Sequence, residues 1–375
     1  MTSCKHTSWV RLSKKKHLFT KNTFDYQVQI SDRGEVLLES LPHADTEYVS
    51  FILFIGNEGK SRALTNIGID RLKYNNRAHG EAHLFLAPDK EVGFPLLIAD
   101  MNMPLHNRIS RPGRDQKCHE SSTHSITDRS IVLENPLEVA DTIYQRMLVP
   151  FADIVCFFVN DLGGCDRILR RIAMWSETGI YPKPSPWLVL IVQEVEQRNY
   201  LEKLKEFNTN KIFKGVRVYC INSARYQTRV RDRSTDSNEL KYELRELLRR
   251  ARAEKQKKGL LFSARHLAGF FNYIRRNPPF NQKEPLNLIA VSRSDHPVSN
   301  ELGFHLENFL DNFQSPDLLQ KFAIPTIASC LILDQYPPGM HCKRSLSVFK
   351  YLTHKMFLTP YIKRPRKMRM QLTKN

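Results

Sequence analysis

Five short runs, residues 48–55, 94–100, 153–159, 187–193 and 216–222, constrain this chain more than anything else in it. Each is rich in β-branched and aromatic residues and apolar at both odd and even positions, the pattern of a strand covered on both faces. Helical stretches separate them, at 60–74, 136–149, 161–175 and 199–207; Asn135 is placed to cap the second, with Pro136 at its first position. After the last run, Leu240, Leu244, Leu247, Leu248 and Ala251 recur at helical spacing, and Glu246 precedes Arg250 by four, so 237–258 reads as an amphipathic helix. Strands alternating with helices predict a three-layer α/β domain with a mostly parallel sheet. Residues 26–30 and 35–38 flank Ser31, Asp32, Arg33 and Gly34 and read as a hairpin, with the glycine supplying the turn conformation. Residues 104–130 read as an exposed loop. Ten of the twenty prolines lie in 276–375, which sets that region apart as Pro-rich and helical or irregular. The expected organisation is a basic N-terminal arm and hairpin to 45, the α/β domain over 46–275, the Pro-rich region over 276–362, and a basic tail over 363–375.

Composition excludes some classes. With 41% apolar and 26% charged residues the chain resembles a globular protein, not a disordered one. No apolar run approaches the roughly 18 residues of a membrane span, and the N-terminus lacks the apolar block of a secretory signal, so the expectation is an intracellular protein, cytoplasmic or nuclear. Seven cysteines with no C-x-x-C pair argue against a disulfide framework or zinc ribbon. The net charge of +18 sits in three places: six Lys/Arg and no acid in 1–22, twelve against six acids in 225–258, and six with no acid in 363–375. Solvated basic ends explain this, and so does a polyanionic partner, nucleic acid or anionic lipid, met through Lys14, Lys15, Lys16 and the 363–369 cluster.

Chemistry concentrates in S-F-I-L-F-I-G-N-E-G-K-S-R-A-L, residues 50–64. A buried strand runs into Gly56, then Gly59, Lys60 and Ser61, then a helix. That is the order of a phosphate-binding loop, where backbone N–H groups hold phosphate, lysine reaches the outer phosphates and serine binds magnesium. The full loop, G-x-x-x-x-G-K-[ST], has its glycines five apart; here they are three apart and Glu58 adds a negative charge. A strand-to-helix turn containing Gly and Lys is the plain alternative. Lysine in a first helical turn opposes the macrodipole, so an anion is expected beside it: a phosphate, or Asp100 if its strand is the neighbour.

The segments F-I-G-N-E-G-K-S (54–61), P-L-L-I-A-D (95–100), F-A-D-I-V-C-F-F-V (151–159) and W-L-V-L-I-V (187–192), with A-S-C-L-I-L-D-Q-Y-P-P-G-M (328–340), resemble the GTPase-like P-loop region that precedes the patatin-like phospholipase domain in multidomain fungal proteins. The resemblance covers about residues 45–355. It implies a P-loop-NTPase-like fold, with Gly56, Gly59, Lys60 and Ser61 as the phosphate loop, Ser61 and Asp100 at magnesium, and GTP or ATP with magnesium as ligand. The departures imply a degenerate copy with little or no hydrolysis, regulatory or scaffolding in role. Met103 stands where the switch glycine would be, Gln193 and Glu194 stand in place of N-K-x-D, and no G-x-S-x-G elbow marks a phospholipase. The alternative is a non-enzymatic interaction protein that uses its basic segments.

Weaker constellations complete the survey. His79 and His83 could share a helix face toward a metal. Cys118-His119 and His341-Cys342 are adjacent pairs, Cys165 follows two glycines, and Ser292, Ser294, Asp295 and His296 include triad residue types. Phe270, Phe271 and Tyr273 beside Arg275 and Arg276 could stack on bases, though a helix core with a charged last turn explains them more simply.

Overall fold

The computed structural model describes residues 6–16, 24–66, 78–87, 93–104, 119–126, 136–177, 185–193, 212–221, 235–258, 260–281 and 301–335, with 109, 286 and 291. The chain forms two compact units, 1–291 and 292–375.

Among the described residues the first unit has nine strands: β1 (Ser8–Lys16), β2 (Phe24–Ser31), β3 (Ser50–Gly56), β4 (Glu81–Ala87), β5 (Leu96–Asn102), β6 (Ser121–Ser125), β7 (Ile154–Phe158), β8 (Trp187–Gln193) and β9 (Gly215–Ile221). They form one sheet in the order β6-β2-β1-β4-β5-β3-β7-β8-β9. The five strands foreseen from apolar runs are its parallel half, β5-β3-β7-β8-β9. The other half is antiparallel, so the sheet is mixed and not mostly parallel.

Period-two alternation sorts β3 between two cores. Phe51, Leu53 and Ile55 face one side, with Trp9 and with helices α1 (Arg33–Glu39), α3 (Pro136–Met147), α4 (Cys165–Glu177) and α6 (Ala264–Arg276). Ile52 and Phe54 face the other, against Ala63 and Leu64 of α2 (Glu58–Asn66) and Leu240, Leu244, Leu247 and Leu248 of α5 (Thr235–Lys258). The α5 stripe and its Glu246–Arg250 pair at 3.0 Å are as the spacing predicted. Helices thus cover both faces of the central strands.

Several expectations are corrected. Residues 35–38 are not the second strand of a hairpin but part of α1; the partner of β2 is β1, which the basic run had suggested to be an arm. Gly34 is needed for a close approach, not for a turn: a Cβ there would lie 2.6 Å from the Phe271 ring. Glu35 makes a forked pair with Arg275 of α6, at 3.0 to 3.2 Å; burial raises its pKa even so. Within 104–130, β6 pairs with β2 and is a strand, not loop. The helix expected over 60–74 begins at Glu58 and is described to Asn66; the one expected over 199–207 and the cap at Asn135 lie outside the described residues. Phe280, in the Pro-rich stretch, is fully buried in the first unit's core, so that core extends past 276.

The second unit contains α7 (Leu302–Asp311), a short turn at Pro316–Leu318, a π-helical stretch at Leu319–Ala323 and α8 (Ile324–Gln335). Phe309, Phe313 and Phe322 form an aromatic string at 5.0 and 5.8 Å. No helix among the described residues is long and apolar enough to cross a membrane.

Candidate functional site

β3 lies between β5 and β7, and the helix after β3 (α2) packs on one face of the sheet while the helix after β7 (α4) packs on the other, so the carboxyl ends of β3 and β7 border the crevice where α/β sheets place their ligands. Gly56 ends β3, Asn57 follows, and α2 begins at Glu58. Across the crevice β7 is followed by a 3-10 turn, Asn160–Leu162, and by Gly163 and Gly164, both at positive φ (88° and 90°), which redirect the chain into α4.

The side chain that fills the crevice is Asp161. Its carboxylate accepts three backbone N–H bonds from the loop: Asn57 at 2.7 Å, Gly59 at 2.8 Å and Lys60 at 2.8 Å. A helix N-terminus leaves its first N–H groups without intrahelical acceptors and carries partial positive charge, so an anion is stabilised there. Here the anion belongs to the chain. The glycines make room for it: a Cβ on Gly56 would lie 2.8 Å from Asp161 Oδ2, and one on Gly59 would lie 2.9 Å from Oδ1. Gly59 is thus required by this carboxylate, and Gly56 by the carboxylate together with the Phe158 Cβ, which would also lie 2.8 Å away.

Lys60 is fully buried. Its ammonium donates to the Met101 carbonyl and to Asn102 Oδ1 at the end of β5, and is ion-paired with Asp100 Oδ1, each at 2.6 Å. Asp100 and Asn102 are two apart on a strand and so share a face, while the carbonyl between them points the same way across to α2. Ser61 Oγ donates to the Asn57 carbonyl at 3.0 Å. The residues singled out from sequence, Gly56, Gly59, Lys60, Ser61 and Asp100, thus come together in one corner. The Lys60–Asp100 pair is the alternative the sequence had offered to a phosphate.

This arrangement does not fit a nucleotide phosphate or its magnesium. A phosphate on the loop would need the three N–H groups that Asp161 holds, and two anions cannot share them. The serine hydroxyl is turned to a carbonyl and Asp100 to Lys60. Among the described residues no group of three His, Cys, Asp or Glu could hold a metal ion. Met103 is fully buried in the core.

The remaining candidates are elsewhere. His83 lies on β4, next to Glu81 at 3.3 Å, and Gly80 at φ 83° precedes that strand, so His79 and His83 do not share a helix face. His119 pairs with Asp32 at 2.7 Å. Cys165 opens α4 and is not in a disulfide. Phe270 and Phe271 are buried against Phe151 and Trp9, and Arg275 is committed to Glu35, which is the helix-core reading. Lys14 lies over the Tyr26 ring, 5.9 Å from its centre. Cys118, residues 292–296, 341–342 and the 363–369 cluster lie outside the described residues.

Asp161 is the residue that sequence reasoning missed as part of the site. It was placed at a helix start; the available signal was an acid directly after a buried strand and before Gly163-Gly164. Asn102, two beyond Asp100 on the same strand face, was missed for the same reason: neither belongs to a phosphate-loop pattern. No protein-family model matches the chain, and no curated protein matches it.

Proposed function

We propose that the first unit is a degenerate GTPase-like phosphate-loop module that has become a scaffold, with little or no nucleotide turnover. The observation that carries this reading is the three-point capture of Asp161 by Asn57, Gly59 and Lys60, with Lys60 sealed onto β5. The position of the loop supports descent from a phosphate site: it joins a buried parallel strand to a helix at the switch point of the sheet, and its lysine contacts the aspartate-bearing neighbour strand. An internal carboxylate supplies what a phosphate would, so the loop is ordered without ligand. GTP or ATP with magnesium then has access only if Asp161 leaves, at the cost of bringing a polyanion close to that carboxylate and to Glu58.

Calorimetry with GTP, ATP and pyrophosphate, with and without magnesium, tests the reading on the wild-type chain and on Asp161→Ala. The wild type should show no saturable heat at millimolar ligand. Asp161→Ala strands three donors in a partly exposed loop and should lose stability equivalent to at least one charge-assisted bond, about 1.5–3 kcal/mol. Pyrophosphate should restore part of that loss by taking the vacated position. Tight, guanine-selective binding by the wild type would overturn the proposal.

A further inference from the structure

An open cleft of about 620 Å³ lies beside the closed loop, between α3 and α4, within the size range of small-molecule sites, roughly 300–1,000 Å³. Its charges are unevenly committed. Asp161 is held by the loop and Asp141 by Arg171, whose Nε lies 2.8 Å from Oδ2. Arg171 is buried, with its side chain 5% exposed, yet its Nη1 has no acceptor among the described residues. Its guanidinium lies 5.7 Å from the Phe157 ring centre and is closed off from the cleft, so Arg171 holds Asp141 in place and an anion in the cleft would meet the exposed arginines. Arg167 and Arg170, both exposed, also line the cleft and have no carboxylate partner among the described residues; of the described acids lining the cleft, Glu138 is the one not already held by the loop or by Arg171. Leu137 and Met174 supply apolar lining.

We propose that the α3–α4 cleft binds a small molecule bearing a carboxylate or phosphate head on an apolar body, the head on Arg167 and Arg170, the body against Leu137 and Met174. Arginine suits this task because its planar fork pairs with two oxygens of one head group. The inference goes beyond the scaffold reading and uses the closed loop only to remove Asp161 from the charge count.

The test titrates 1-naphthoate and 1-naphthyl phosphate, with neutral 1-naphthamide as control, into the full-length protein by calorimetry. Saturable binding tighter than about 1 mM is expected for at least one anion and not for the amide. The tighter of the two anions distinguishes a carboxylate ligand from a phosphate ligand. Arg167→Ala with Arg170→Ala changes two exposed side chains, so the fold should survive, as circular dichroism would check; affinity should fall at least about tenfold. Met174→Asp should weaken binding independently by removing apolar lining. No binding by either anion, equal binding of the amide, or affinity unchanged in the double variant each overturns the proposal. Those failures leave the closed loop intact, because that reading fails on wild-type nucleotide binding, which the arginine variants do not touch.

Discussion

Replacing Lys60 by methionine keeps the aliphatic stem and deletes the ammonium, which isolates what the charge does. In a loop that served an open ligand site, losing the lysine would cost the fold little. Here it strands the Asp100 carboxylate, fully buried, together with the Met101 carbonyl and Asn102 Oδ1. Removing one partner of a buried ion pair costs about 3–5 kcal/mol, because the remaining charge is left without compensation. For a unit of this size each kcal/mol moves the melting temperature by about 2–4 °C, so Lys60→Met should melt roughly 6 to 20 °C below the wild type. Adding Asp100→Val removes the stranded charge and should recover part of the loss. The two neutral acceptors remain unpaired, so recovery is incomplete, at about 1–3 kcal/mol for each. Urea unfolding of wild type, both single variants and the double variant gives the coupling directly, provided the m-value is constant across the set. A Lys60→Met shift under about 2 °C, or a double variant no more stable than the single ones, would refute the structural role of the pair.

Three further outcomes are expected. With Asp161 on the loop and Met103 packed into the core, purified protein should hydrolyse GTP or ATP no faster than the Lys60→Met variant does, measured by phosphate release; robust turnover abolished by that substitution would contradict the scaffold reading. Asp141, pushed up to about 6 by burial in spite of Arg171, binds its proton in the folded state before the unfolded state does. Its contribution therefore makes the fold more stable as pH falls from about 6 towards 4, and any stability advantage of Asp141→Asn at pH 7 should shrink over that window in denaturant titrations; an advantage independent of pH would count against the shift. If the basic segments meet polyanions, affinity for arbitrary duplex DNA or anionic vesicles should fall steeply with salt and drop on deleting 363–375, whereas salt-independent binding would exclude an electrostatic footing.

The parallel half of the sheet was legible because burial on both faces leaves an unbroken apolar run, as at Ser50–Gly56, and few other structures need one. The antiparallel half was not. Strand β1 carries Lys14, Lys15 and Lys16 beside Trp9 and Leu12, so its charge masks its alternation, and β6, S-S-T-H-S, has no apolar signal at all. Gly34 was read as a turn because glycine most often relieves backbone strain; the reason it is there is the Phe271 ring, which sequence does not reveal. The site divides the same way. Lys60 and Asp100 could be paired on paper because adjacent parallel strands bring them together and an anion was owed to the helix start. Asp161 could not, since its role depends on the switch in strand order that brings the end of β7 against the loop, a relation between residues about a hundred positions apart.

The backbone amides of Asn57, Gly59 and Lys60 are the groups on which the account turns, and their nitrogen and proton resonances can be followed in deuterated protein by TROSY spectra during a titration with magnesium and GTP. In the wild type all three should stay where they are up to about 10 mM ligand, and in Asp161→Ala the same three should move on addition of pyrophosphate. Saturable movement of these amides in the wild type, with Asp161 in place, would contradict the claim that the chain's own carboxylate closes the loop after β3.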